Sequence, residues 1–316
     1  MRKGLLLSLP LLLTLFSCDL QDASPLQKSF FAFDTYWSIS LYDGDQSNLN
    51  DLADIAYSLS DLADSYEKRS VKNVYTLNHS EAPVLLDPLL IELIEGSITY
   101  SKTYPHLSIY LGSLKSLWQD RLLANQVPSE EEIAPYLKDI AETSFLNEDG
   151  LCSLIGQAKI ELGAFAKGFA LKKMKAYLDD HSLKQYLIDG GSSSVLLGEK
   201  PSKDGTFSVS LKYYPNQKLH LKNIAISTSS IYEQRQVVDG KTYSHIIDPM
   251  TGKAEAKLPF VMAFGDDPFL LDALTTSFSL IGEDCRDYES ESLQILYALD
   301  ENEIAYHSPF LEIESK

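Results

Sequence analysis

The apolar residues of the chain recur with two periods, and the changes of period outline its elements. Residues 29–42 alternate aromatic or β-branched positions with small polar ones, and a period of two predicts a strand. Over 47–68 the spacing becomes helical: Leu49, Leu52, Ala56, Leu59, Ala63 and Tyr66 form one stripe of an amphipathic helix. Asp87 before Pro88 predicts a helix start, since the carboxylate can cap free N–H groups and proline suits the first helical position; the apolar run 89–98 follows. Ser129 and Glu132 make a capping box for another helix. Residues 161–180 read as helical, rich in Gly and Ala at the start, with Leu171, Met174 and Leu178 on one side. Five strands are predicted next, at 186–197, 206–213, 219–227, 242–247 and 258–264. A long helix over 268–281 and a hairpin from 294–299 and 303–307 complete the pattern. Helices lie early and between strand blocks, without a regular alternation of strand and helix. The expected fold class is therefore α+β, with largely antiparallel sheets flanked by helices in one compact domain over residues 29–316.

The start of the chain follows a different logic. Arg2 and Lys3 precede an apolar run over 5–16, too short for the roughly 20 residues a membrane span needs, and Ser17 precedes Cys18. Residues 1–17 are expected to be an export signal. Leu15-Phe16-Ser17-Cys18 resembles a bacterial lipobox, in which Cys18 is lipidated, and 18–28 reads as that Cys with a polar tether. The expected location is outside the cytoplasm, lipid-anchored to the cell membrane; a plainly cleaved signal is the other reading. A net charge of −18 and a pI near 4.7 argue against nucleic acid as a partner, because phosphate binding needs clustered Lys and Arg. The same acidity would repel an anionic membrane, so attachment has to come from acyl chains. Cys152 and Cys285 could pair or remain buried thiols, and no cysteine spacing suggests zinc or a redox dithiol.

Three segments carry candidate chemistry. Glu161-Leu-Gly-Ala-Phe-Ala-Lys-Gly168 is a small-residue turn entering a helix, where free N–H groups and Lys167 would favour an anion; a tightly packed helix start with a solvated lysine is the alternative. Asp272 and Thr276 are four apart and share a helix face. With a backbone carbonyl they would offer Mg²⁺ the hard oxygens it requires, whereas a surface Asp and a Thr bonded back to its own helix is the bland alternative. The helix is apolar nearly all round, and a carboxylate in such surroundings is usually paired or metal-bound. Tyr243-Ser-His-Ile-Ile-Asp-Pro-Met-Thr-Gly252 ends a strand in an Asp-Pro turn and places His245 as a candidate proton carrier or a packing histidine. Asp248 there could equally cap the turn.

Taken in order, these segments resemble the ApbE-like family, the FAD:protein FMN transferases, through nearly all of the chain after the tether. Phe33-Asp-Thr-Tyr-Trp-Ser-Ile-Ser-Leu-Tyr42, Tyr66 with Val74-Tyr-Thr-Leu-Asn78, Leu107-Ser-Ile-Tyr-Leu-Gly-Ser-Leu114 and Glu161 to Gly168 come first. Ile188-Asp-Gly-Gly-Ser192, Ile226-Ser-Thr-Ser229, His245-Ile-Ile-Asp-Pro249 and Asp272-Ala-Leu-Thr-Thr276 complete the series. The resemblance implies that the Ala164 carbonyl, Asp272 and Thr276 hold Mg²⁺ and that Lys167 contacts FAD. It places Phe33, Tyr66, His106, Leu107, Ser108, Glu161 and Ile246 at the other cofactor-contacting positions. The implied reaction is attack by a Thr or Ser hydroxyl of an exported acceptor protein on the FMN phosphorus of FAD, with release of AMP. Asp272 and His245 are the expected catalytic residues, His245 as proton relay.

The chain departs from the family pattern at several positions. Phe33 and Asp34 stand for Met and Gly, Glu161 for Asp, and His106, Leu107 and Ser108 for Ala-Phe-Asp; Ser192 replaces an Asn and Met250 an Arg. None of these removes an expected metal ligand. Two other readings remain at this stage: an FAD pyrophosphatase that lets water attack, giving FMN and AMP, and a non-catalytic flavin-binding lipoprotein.

Overall fold

The computed structural model of the protein describes residues 24–315 apart from Ser192, Lys212, Glu233, Gln234 and Asn302; the expected signal, Cys18 and the first part of the tether lie outside the described residues. The described chain begins with an antiparallel hairpin, β1 (Leu26–Ala32) and β2 (Thr35–Leu41), where the alternation predicted one strand. Phe33 and Asp34 both adopt left-handed backbone, φ 52° and 57°, and so reverse the chain in two residues without disturbing the alternation on either side. β1 also begins inside the stretch expected to be tether. α1 (Gln46–Ala63) opens on a reciprocal Asp45–Asn48 cap and buries Leu49, Leu52, Ala56 and Leu59, but stops before Tyr66.

α2 (Val74–Asn78) and β3 (Val84–Leu85) lead to α3 (Pro88–Thr103), which starts where the Asp87 carboxylate accepts the Leu89 N–H. α4 (Gly112–Leu123) has no counterpart in the sequence pattern: no side chain caps its start, and its buried positions are Leu114 and Trp118. α5 (Glu130–Glu142) shows both bonds of the Ser129–Glu132 box. β4 (Ser144–Glu148) and β5 (Leu151–Ile155) form a hairpin that β3 extends. α6 (Ala166–Asp180) begins after a bend at 161–165 rather than at Glu161.

The second half supplies most of the sheet. β6 (Tyr186–Gly190) and β7 (Ser194–Leu197) replace the single strand expected over 186–197, because Gly191, φ 80°, turns the chain where the Thr35 side chain leaves no room for a Cβ. β8 (Phe207–Leu211), β9 (Tyr214–Leu221), β10 (Ile224–Ser230), β11 (Arg235–Val238), β12 (Lys241–Ser244) and β13 (Phe260–Gly265) follow. α7 (Pro268–Ile281), β14 (Leu293–Ala298), β15 (Tyr306–His307) and β16 (Ile313–Ser315) end the chain. Eight strands form the central sheet in the order β1-β2-β6-β7-β10-β13-β14-β15, and every neighbouring pair is antiparallel. The α+β class, antiparallel sheet and single compact domain expected from the sequence are what the chain adopts.

Both faces of the sheet are covered, which explains why β13 reads as a continuous apolar run. Val261 and Ala263 enter the main core with α1, α3, α6 and α7, while Phe260, Met262 and Phe264 enter a second core under the β16-β9-β8 sheet. A third cluster joins α4 and α5 to the β11–β12 hairpin through Leu114, Trp118, Ile133, Val238 and Tyr243. The Trp118 indole N–H donates to the Gly252 carbonyl at 2.7 Å, which fixes the turn after His245.

Candidate functional site

The site grows from the contact of α6 with α7. Asp267 accepts the Phe269 and Leu270 N–H groups at 3.0 and 3.4 Å and Pro268 takes the first helical position, so α7 starts beside α6. The two helices approach closely because residue 168 is glycine: a Cβ there would lie 2.3 Å from the Pro268 carbonyl oxygen and 2.5 Å from Asp272 Cβ. That approach lets the Gly168 N–H donate to Asp272 Oδ2 at 2.9 Å. The other oxygen, Oδ1, accepts the hydroxyls of Ser194 on β7 at 3.1 Å and Ser227 on β10 at 3.0 Å. Burial pushes the Asp272 carboxyl above its ordinary range, against the opposing pull of Lys167, the Gly168 N–H and the two serines. Among the described residues no lysine or arginine forms an ion pair with it, so three neutral donors orient the carboxylate while the Lys167 charge acts on it from farther away.

Asp272 borders a cavity of about 910 Å³ that is lined from both faces of the sheet, β7 included. Ala164, Lys167 and Thr276 line the same cavity, so the expected metal ligands and phosphate-binding lysine are brought together. The Lys167 ammonium donates to the Ser193 hydroxyl. Back-bonding to the helix falls to Thr275, whose hydroxyl donates to the Asp272 carbonyl at 3.2 Å, while the Thr276 hydroxyl has no protein partner among the described residues. Phe33, Tyr66, Glu161 and Ile246 border the cavity, as does His245, which is exposed on the segment after β12 rather than packed in a core.

Three residues expected to contact the cofactor are held by other partners. His106, Leu107 and Ser108 are not among the residues lining the cavity. Their loop touches α7, where the Pro105 carbonyl accepts the Ser277 hydroxyl at 2.7 Å. His106, at φ 57°, sets Nδ1 2.9 Å from Asp248 Oδ1; Leu107 is buried in the main core; Ser108 Oγ accepts the Tyr110 N–H at 3.1 Å. Asp248 caps its own turn, accepting the Met250 N–H at 2.9 Å and the Thr251 hydroxyl at 3.0 Å.

Other residues of the site were not singled out from the sequence. Ser194 on β7 and Ser227 on β10 hold Asp272, each a small polar residue on the helix-facing side of its strand. Thr35, Asp189, Thr228, Lys115 and Gln119 also line the cavity, the last two from α4, whose pattern gave no sign of a helix. Cys152 and Cys285 are both buried free thiols, and burial pushes Cys285 up to about 12.

One carboxylate, one free hydroxyl and one backbone carbonyl form a set of hard oxygen donors. Among the described residues no group of three or more His, Cys, Asp or Glu side chains could hold a metal, so a cation here would complete its shell with phosphate oxygens and water, as Mg²⁺ commonly does. Lys167 and the N–H groups at the start of α6 suit the phosphates that would supply those oxygens.

The ApbE family model matches residues 33–296. Among similar curated proteins, the FAD:protein FMN transferase of Klebsiella pneumoniae is 24% identical over 257 residues, covering 76% of this chain and 79% of that protein. The FAD:protein FMN transferase of Chlamydia trachomatis is 28% identical over 233 residues, covering 70% and 72%. Among solved structures, the ApbE protein of Thermotoga maritima superimposes with a TM-score of 0.76 at 24% identity over 90% of this chain and 97% of that one. The flavin transferase ApbE of Vibrio cholerae gives 0.71 at 20% identity over 91% and 98%, a likeness of fold. The family match runs from the tip of the β1–β2 hairpin into β14 and takes in both helices of the site: the chain belongs to the ApbE family.

Proposed function

We propose that the protein is an FAD:protein FMN transferase that uses Mg²⁺ and moves the FMN half of FAD onto a Thr or Ser hydroxyl of an exported acceptor protein, releasing AMP. The observation that carries this reading is the buried Asp272 carboxylate, held by donors from α6, β7 and β10 at the wall of a cavity it shares with Ala164, Lys167 and Thr276. The residues fit the metal: Asp272, Thr276 and the Ala164 carbonyl would hold it, and a desolvated carboxylate without an ion-pair partner gains from a cation. Bound there, Mg²⁺ would supply charge neutralisation on the pyrophosphate.

The chain's own residues do the rest. Lys167 would bind a phosphate oxygen and stabilise charge gathering on the departing AMP. Phe33, Tyr66 and Ile246 would orient the dinucleotide in the cavity, so that catalysis comes largely from positioning. The acceptor oxygen forms a bond to the FMN phosphorus as the bond to the bridging oxygen breaks, and His245, exposed at the cavity, takes the hydroxyl proton. His245→Ala is expected to slow turnover by roughly 100-fold or more while FAD affinity changes little; an unchanged rate in a stopped-flow or gel assay removes that role. The pattern of residues 1–18 supports export and lipid anchoring through Cys18, with the acceptor on the same side of the membrane.

The test is to incubate the chain from about Leu20 onward with FAD, Mg²⁺ and a candidate acceptor and to look for flavin fluorescence that survives denaturing electrophoresis. Labelling that EDTA abolishes is expected. Free FMN and AMP without labelled acceptor would identify a pyrophosphatase instead, and retained FAD with neither product a flavin-binding protein.

A further inference from the structure

In the lining of the same cavity, Lys115 of α4 donates to Glu161 Oε1 at 2.9 Å, and Tyr66 also lines the cavity and acts on the Lys115 charge. The Gly163 N–H donates to the same Glu161 oxygen at 3.0 Å. Burial works against the Lys115 charge, but the attraction of Glu161 and Tyr66 outweighs it and holds the ammonium above its ordinary range. Two groups remain unused. Lys115 has N–H groups beyond the one given to Glu161, and Glu161 Oε2 has no protein partner among the described residues.

The pair is neutral overall, so it offers no net attraction to a phosphate, and Lys167 already serves that purpose. What it presents is a fixed donor beside a fixed acceptor, each charge-assisted, on a wall with Tyr66, Leu111, Gln119 and Ile246. That arrangement matches the edge of a planar heteroaromatic ring in which an N–H stands next to a carbonyl or a ring nitrogen. The two ring systems of FAD both carry such an edge.

We propose that Lys115, acting with Glu161, is a specificity-determining binding residue that hydrogen-bonds the heteroaromatic edge of one ring of the dinucleotide. The inference rests on the FAD-binding reading above. It makes the Glu in place of Asp at position 161 part of a two-residue device, its second member supplied by a helix that crosses from the third cluster to the cavity.

The experiment compares wild type, Lys115→Met, Lys115→Arg and Glu161→Gln in calorimetric titrations with FAD, FMN, AMP and inorganic pyrophosphate, each with Mg²⁺. Losing charge-assisted bonds should weaken FAD binding to Lys115→Met by roughly 10- to 100-fold. The loss should be shared by FMN or by AMP but not by both, which also identifies the ring, and pyrophosphate should bind unchanged. Lys115→Arg should recover part of the affinity, and Glu161→Gln should show the same selectivity to a smaller degree. Unchanged FAD affinity in Lys115→Met overturns the proposal. So does a parallel loss for FMN, AMP and pyrophosphate, which would mean that Lys115 only braces the bend at 161–165. Wild type that binds neither FAD, FMN nor AMP would overturn the underlying functional reading, and the proposal with it.

Discussion

Asp272 and Asp248 are buried to nearly the same degree, 7% and 8% exposed, yet they do different work. Asp248 spends its oxygens on its own turn, on the Met250 N–H and the Thr251 hydroxyl, and on His106. Asp272 takes its donors from three elements distant in sequence and faces a cavity. Burial of a carboxylate therefore does not mark a site by itself. A turn that satisfies its own aspartate is complete, whereas a carboxylate oriented by the tertiary fold, and raised above its ordinary range by burial, is prepared for something brought from outside.

The strongest way to break this contrast is Asp272→Ala. It should abolish flavin transfer, by more than about 100-fold on the scale set by metal-site substitutions, while the circular dichroism spectrum stays that of a folded protein. Normal labelling by the variant would refute the assignment. Next in size is Gly168→Ala, which drives a methyl group into the Pro268 carbonyl and the Asp272 side chain. Overpacking of this kind costs about 1–3 kcal/mol, read as a lower urea midpoint, and Mg²⁺ affinity should fall with it.

Asp248→Ala should be comparable in stability and opposite in function. It removes the acceptor for Met250, Thr251 and His106, worth about 1–3 kcal/mol, and leaves Mg²⁺ affinity unchanged. The smallest effect is a pH dependence. Because the Asp272 pKa is raised on folding, the native state holds that proton more tightly than the unfolded chain. Metal-free stability is therefore lost as pH rises from the ordinary carboxylate value through the raised one, and it returns as pH falls. Asp272→Asn should be more stable than wild type at pH 7 without metal, and the difference should shrink in urea melts toward pH 4. Mg²⁺ at about 100 times its Kd should stabilise wild type by about 2.7 kcal/mol and the variant much less.

What the sequence made legible follows from how local each signal is. α7 was read at its observed bounds because Asp267 and Pro268 fix its start and a glycine ends it. The starts of α3 and α5 were equally legible from Asp87-Pro88 and the Ser129–Glu132 box. Hairpins were harder: β1–β2 and β6–β7 each read as one strand, because Phe33-Asp34 and the bend at Gly191 turn the chain within a short span. α4 was invisible, with no cap and few buried positions, and Lys115 was invisible with it. In the site, Asp272 with Thr276 came from helix spacing alone. Ala164, Phe33, Tyr66 and Ile246 came from the family resemblance, which also offered His106, Leu107 and Ser108, side chains that the loop turns to other partners. Ser227 lay within the Ile226-Ser-Thr-Ser229 match without a role and Ser194 outside every match; their hold on Asp272 emerges only once β7 and β10 are placed against α7.

The central claim concerns oxygens around one cation, and anomalous scattering tests it most directly. Crystals grown with FAD and Mn²⁺ in place of Mg²⁺ should show a single strong peak bonded to Asp272, the Ala164 carbonyl and the Thr276 hydroxyl, with distances of about 2.0–2.3 Å. A peak elsewhere in the cavity, or FAD bound with no metal at Asp272, would contradict the account.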